Sequence, residues 1–132
     1  MANVTQPDAT TTTDVTTTTD DLFAELRRLS PKVTGGLVRM RAESYADGAV
    51  QGKYKVLTAM VVSIAIRCEP CIRAYVKMAV DAGITEAELV EFLNVAITMQ
   101  GCPGEEWALK AFQAYRALIE GRVIESGASC CH

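Results

Sequence analysis

From Val56 to Ile66 the chain is apolar except for Thr58 and Ser63, and few folds accept such a segment. Its 11 residues fall well short of the roughly 20 that a membrane-spanning helix needs. A helix apolar on most sides must instead be enclosed by other elements. No segment alternates apolar and polar residues long enough for a strand, so the enclosing layer has to be helical.

The remaining sequence supplies that layer. Thr85, with Glu88 three residues on, forms a capping box, and Ile84 is placed to staple onto Leu89. The helix that follows carries Leu89, Phe92, Leu93, Ala96 and Ile97 at helical spacing and is broken by Gly101-Cys102-Pro103-Gly104. A last helix, about Glu105 to Glu120, presents Trp107, Ala108, Ala111, Phe112, Tyr115 and Ile119 to the core or to a subunit interface and stops at Gly121. On the N-terminal side, Asp20 or Asp21 is expected to cap a short helix with Leu22, Phe23, Leu26 and Leu29 on one side. Ser30-Pro31 is expected to open a second helix, reaching about Ala46 across Gly35-Gly36. Asp47-Gly48 ends it, and Gly52 closes a short loop before the apolar helix.

The chain thus reads as all-α, a single-domain bundle of about six helices over residues 20–121. Residues 1–19, rich in threonine, lack the apolar content to offset ordering and are expected to be a disordered tail. Residues 122–132 form a C-terminal tail ending in Cys130-Cys131-His132. A net charge of −3 and a pI near 5.1 argue against a nucleic-acid partner, and no basic cluster suits an anionic membrane. No basic-then-apolar leader is visible, so a cytoplasmic location is expected. In a reducing compartment, five cysteines read as catalytic or metal-binding before they read as structural.

Chemistry concentrates in Arg67-Cys68-Glu69-Pro70-Cys71-Ile72-Arg73-Ala74-Tyr75. Proline at the third position of the C-x-x-C unit marks a helix start. Cys68 then falls at or just before the N-cap and Cys71 in the first turn, where backbone N–H groups and the helix dipole favour thiolate. Such a pair can close a disulfide, one thiolate attacking and the other resolving. Two other readings stand beside this one. The cysteines can be small buried hydrophobes, or belong to a non-enzymatic, thiol-based redox-sensing or soft-metal-binding protein that holds zinc, copper or arsenic through Cys68, Cys71, Cys130, Cys131 and His132. Cys102 reads as a structural residue in an interhelix turn. Glu69 suits the helix dipole and is a weaker catalytic candidate.

Three stretches carry a family likeness: Lys53 to Leu57, Val62 to Ile72, and Ala82 to Leu89. Together, over about Ser44 to Tyr115, they resemble the carboxymuconolactone decarboxylase superfamily, within it the alkylhydroperoxidase D-like branch that bears C-x-x-C. The resemblance implies an all-helical subunit assembling into homotrimers or hexamers around the helices that flank the cysteines. It also implies thiol chemistry with a hydroperoxide or a protein thiol–disulfide partner and without a cofactor. Cys71 would take the sulfenic acid and Cys68 would close the disulfide. The position of Cys68 nearer the helix start favours the opposite roles, and the assignment stays open.

Two positions depart from that pattern. Redox-active relatives carry a histidine four residues after the second cysteine and a glutamate twelve before the first; this chain has Tyr75 and Val56 there. Tyr75 lies one turn beyond Cys71 and can donate a hydrogen bond to a sulfur or peroxide oxygen, but a phenol with a reference pKa of about 10 is no resting base. Glu43 and Tyr45, just ahead of the apolar helix, are the residues that can reach the site through the fold or from a neighbouring subunit. Decarboxylation of a lactone acid is a third reading, disfavoured because that branch does not rely on C-x-x-C and the only histidine is His132.

Overall fold

The computed structural model describes residues 17–122. It consists of six helices and, among the described residues, no strand: α1 (Thr19–Leu29), α2 (Thr34–Tyr45), α3 (Gly52–Ala65), α4 (Glu69–Asp81), α5 (Glu86–Gln100) and α6 (Cys102–Ile119). The tail cysteines Cys130 and Cys131, His132, and all but the last residues of the threonine-rich segment lie outside the described residues.

Helix α3 is the hub and packs against α2, α4, α5 and α6. Its Leu57, Met60 and Ile64 are fully buried, joined by Ile72 and Val76 of α4 and Leu89 of α5. Each such aliphatic side chain removed from water stabilises the fold by about 1.5–3 kcal/mol. The enclosure is less complete than the sequence suggests. Thr58, Val62, Ala65 and Ile66 are exposed, with Val62 at 53% and Ile66 at 66%, so α3 leaves an apolar stripe uncovered beside its C-terminal end.

Two helix starts differ from expectation. Thr18, not Asp20 or Asp21, caps α1: its hydroxyl accepts from Asp21 N–H, and Asp21 returns the bond as the capping-box acid. Threonine wins because it leaves an acidic residue at N3, where it can bond back to the cap. Ser30-Pro31 does not open α2. Ser30 closes α1 instead, its N–H donating to Leu26 O, and its carbonyl accepts from both Thr34 N–H and the Thr34 hydroxyl. The chain needs three residues of turn there before α2 can begin. Neither α1 nor α2 buries a residue, and α1 touches no other described helix than α2.

The junction of α2 and α3 is tight. A Cβ on Gly52 would stand 2.2 Å from the Tyr45 carbonyl oxygen, and the Gly52 N–H donates to Asp47 Oδ1 at 2.7 Å. Only glycine lets the first turn of α3 sit on the last residue of α2 this closely. Further along, the Thr85–Glu88 capping box forms as expected, with Ile84 and Leu89 both buried in the core cluster. Glu88 is used again: it accepts from Lys53 Nζ at 2.7 Å and from Tyr54 Oη at 3.0 Å, tying the start of α3 to the start of α5. The Gly101–Gly104 break is shorter than expected. Gly101, at φ 66°, ends α5 and caps α6, so Cys102 is the first residue of a helix rather than part of a loop. Tyr115 is buried, and Trp107 and Phe112 pack half-buried on the core.

Candidate functional site

The candidate site is the corner where α3 hands over to α4. Arg67 N–H donates to Ile64 O at 3.1 Å and Cys68 N–H to Ser63 O at 3.0 Å, the paired bonds that terminate a helix through a left-handed residue. The same pattern closes α4 at Gly83 and α6 at Gly121, but here the left-handed residue is Arg67, at φ 56°. Cys68 then caps α4, its carbonyl accepting from Ile72 N–H at 2.9 Å. One residue therefore spends its N–H ending one helix and its C=O beginning the next. This fixes the Cys68 backbone from both sides.

Pro70 sits in the first turn of α4, where its missing N–H costs nothing, and Cys71 follows at the third helical position. Cys68 and Cys71 are joined as a disulfide with Cα atoms 5.3 Å apart, inside the usual range, and both residues are half-buried. The pair is thus a closed bridge rather than two separate small hydrophobes.

Around α4 the neighbours divide by helix face. Glu69 lies about 200° round the helix from Cys71. Its carboxylate accepts from Arg73 and pairs with Lys110 Nζ of α6 at 3.3 Å. The Arg73 hydrogen bond first, and that of Lys110 second, hold its carboxyl below the usual range. It is an ionised tie between α4 and α6.

On the other flank, Cys71, Tyr75, Met78 and Ala82 follow one another along a single stripe of α4. Tyr75 is 8% exposed, and its hydroxyl accepts from Tyr45 Oη at 2.7 Å, with the rings edge to face at 5.7 Å. Tyr45 in turn lines a surface cleft of about 850 Å³ whose wall includes Val56, Met78, Lys53, Asp47 and Asp81. Val56, twelve residues before Cys68, is buried at 4% exposure. Of the two residues singled out ahead of the apolar helix, Tyr45 joins Tyr75, whereas Glu43 is exposed in the last turn of α2.

Among the described residues no group of three His, Cys, Asp or Glu is placed to hold a metal. The soft-metal alternative depends on Cys130, Cys131 and His132, outside the described residues. Cys102 is exposed, beside a groove lined by Leu93, Ile97, Leu109 and Phe112 on the far helices α5 and α6. No described helix is long and apolar enough to cross a membrane. Sequence reasoning missed two features of the corner. The Arg67 conformation has no sequence signal, since glycine is the residue that announces a left-handed turn. The Glu69–Lys110 tie links residues far apart in the chain, which periodicity cannot pair.

Comparison with known proteins places this geometry. The family model described as the carboxymuconolactone decarboxylase family matches residues 31–114. An uncharacterized protein of Cupriavidus necator is 26% identical over 96 residues, covering 73% of this chain and 85% of its own length. The crystal structure of an apo carboxymuconolactone decarboxylase family protein from Legionella pneumophila aligns with a TM-score of 0.68 at 31% identity, over 74% of this chain and 90% of that one.

Proposed function

The chain belongs to the carboxymuconolactone decarboxylase family, and from that premise we propose that it is a thiol–disulfide oxidoreductase that cycles Cys68 and Cys71 between dithiol and disulfide. The observation that carries this reading is the bridge itself, closed at a helix start with Cys68 as the N-cap of α4. There the first-turn N–H groups and the helix dipole stabilise a thiolate in the reduced form. Tyr75 is the hydrogen-bond donor to the sulfur or to a bound oxygen, and Glu69 is a structural ion pair, not a base. With Val56 and Tyr75 in place of an ionisable relay, hydroperoxide reduction is slow relative to thiol–disulfide exchange. The working state is a homo-oligomer in a reducing, cytoplasmic setting, built across the exposed Val62 and Ile66 and the apolar side of α1 (Leu22, Leu26, Leu29).

Two measurements test the reading. Reduced protein is mixed with a small disulfide and, separately, with an alkyl hydroperoxide, and oxidation is followed by loss of free thiol. Cys68→Ser and Cys71→Ser should each abolish formation of the internal bridge, and exchange should outpace peroxide reduction. Equal rates in the parent and both variants would overturn it. Light scattering reads the assembly: a monomer at micromolar concentration refutes the oligomer.

A further inference from the structure

The proposed redox cycle leaves open which cysteine carries the thiolate. The hydroxyl pair at Tyr45 and Tyr75 bears on that question. Tyr75 is nearly sealed from water and Tyr45 is half-buried, yet their oxygens meet at 2.7 Å, side chain to side chain, from the last residue of α2 to the middle of α4. A hydroxyl that accepts a hydrogen bond from one partner turns its own proton toward another. One turn back along the same stripe of α4 lies Cys71, while Cys68 precedes the helix.

We propose that Tyr45 is a positioning residue that orients the Tyr75 hydroxyl as a donor to the Cys71 sulfur, making Cys71 the cysteine stabilised as thiolate. The inference rests on the redox reading above and extends it to a residue on another helix. Two linked hydroxyls polarise each other, so the Tyr75 donation is stronger with Tyr45 in place than without. The pair supplies by hydrogen bonding part of what an ionisable relay supplies by proton transfer, and it carries no charge that a dry site would penalise.

The chemistry follows with an external thiol as reductant. Its thiolate attacks Cys68 Sγ, a bond forms between those sulfurs and the Cys68–Cys71 bond breaks. The electron pair departs on Cys71, whose thiolate receives the Tyr75 hydrogen bond. A second thiolate then attacks the mixed disulfide at the sulfur of the first thiol, releasing the small disulfide and leaving Cys68 as a thiolate that takes a proton from water. Two thiols are oxidised and one protein disulfide is reduced.

The charged groups around Cys71 are common to every variant needed for the test. Arg67 precedes the bridge, Glu69 and Arg73 lie on the opposite flank of α4, and Lys110 approaches from α6. On the cleft side, Asp47 is held by Gly52 N–H, Lys53 by Glu88 and Asp81 by Lys77.

The experiment measures the pH dependence of iodoacetamide alkylation at Cys71. It uses the full chain carrying Cys68→Ser, so that Cys71 is the only cysteine between Arg67 and Arg73 and is read on its own tryptic peptide. Tyr75→Phe should lower the thiolate fraction at pH 7 about tenfold, the size of a hydrogen bond to a charged group. Tyr45→Phe should lower it about two- to threefold, and should add nothing once Tyr75 is Phe. In the protein with both cysteines, reduction by dithiothreitol should slow in the same order, since a poorer thiolate is a poorer leaving group. Each Phe keeps its ring packing, and circular dichroism checks the fold. A Tyr45→Phe protein that alkylates like its parent, or a Tyr45 effect that persists without the Tyr75 hydroxyl, overturns the inference and leaves the redox reading intact. Unchanged exchange in Cys68→Ser and Cys71→Ser overturns the redox reading instead.

Discussion

Gly52→Ala tests whether the α2–α3 junction positions the site as described. The new Cβ would stand 2.2 Å from Tyr45 O and 3.3 Å from Asp47 Oδ1, so backbone has to move. Overpacking of this kind costs about 1–3 kcal/mol. Movement also weakens the Gly52 N–H bond to the Asp47 carboxylate, a charge-assisted bond of about 1.5–3 kcal/mol. Against these stands the better helix propensity of alanine, about 1 kcal/mol. The net expectation is a loss of about 2–4 kcal/mol, or a melting temperature lower by roughly 10–20 °C for a domain of this size. Gly48→Ala is the control, since its Cβ would meet only the flexible end of Lys55 at 3.6 Å. Urea unfolding of oxidised protein measures both. Because the clash pushes on Tyr45, the alanine variant should also show the reduced Cys71 thiolate fraction expected of Tyr45→Phe. A Gly52→Ala protein as stable as Gly48→Ala would refute the close approach and the positioning of Tyr45 that depends on it.

Other expectations are independent of that junction. Arg67→Gly should stabilise the oxidised protein by about 0.5–1 kcal/mol, because it removes about 1–2 kcal/mol of left-handed strain and returns about 0.4–1 through the freer unfolded chain; a lower urea midpoint would contradict the corner geometry. Glu88, held down to about 2 chiefly by the Lys53 hydrogen bond and then by Thr85 N–H, has a depressed folded value. Its contribution is present above the ordinary value of 4.5 and is lost as pH falls toward about 2. Acid titration of stability should therefore be shallower over that window in Lys53→Met than in the parent, and identical slopes would sink the assignment.

Much of this structure was legible because its signals are local. The Thr85–Glu88 box, the proline at the start of α4 and the apolar run of α3 each follow from residues within one or two turns. The N-terminal errors share one cause. Each position offers two local readings: Ser-Pro fits both a helix start and a helix end, and Thr18 competes with Asp20 and Asp21 for one cap, which Asp21 at N3 gives to Thr18. For the candidate site, the sequence marks residues but not how they are joined. Cys68 and Cys71 stand out by their spacing, and Tyr75 by the family likeness. That Tyr45 meets Tyr75, thirty residues along, depends on how α2 and α4 each pack against α3.

The buried Val56 and Tyr75 make one further prediction about the proton relay. Val56 is 4% exposed in the same core cluster as Tyr75 of α4. Val56→Glu alone puts an unpaired carboxyl into that setting, where burial raises its pKa and stability falls by about 2–5 kcal/mol. It should therefore give no faster peroxide reduction. Tyr75→His alone deletes the donor from Tyr45's partner and should slow exchange. Together, the two groups can pair. The double variant should be more stable than the sum of the single losses by about 0.5–3 kcal/mol, and its peroxide reduction should exceed that of either single variant. Urea unfolding gives the coupling and thiol loss gives the rate. Strict additivity in both would mean that positions 56 and 75 do not face each other across the α3–α4 contact. Positions 56 and 75 would then have no bearing on how the reduced Cys68 and Cys71 take up protons.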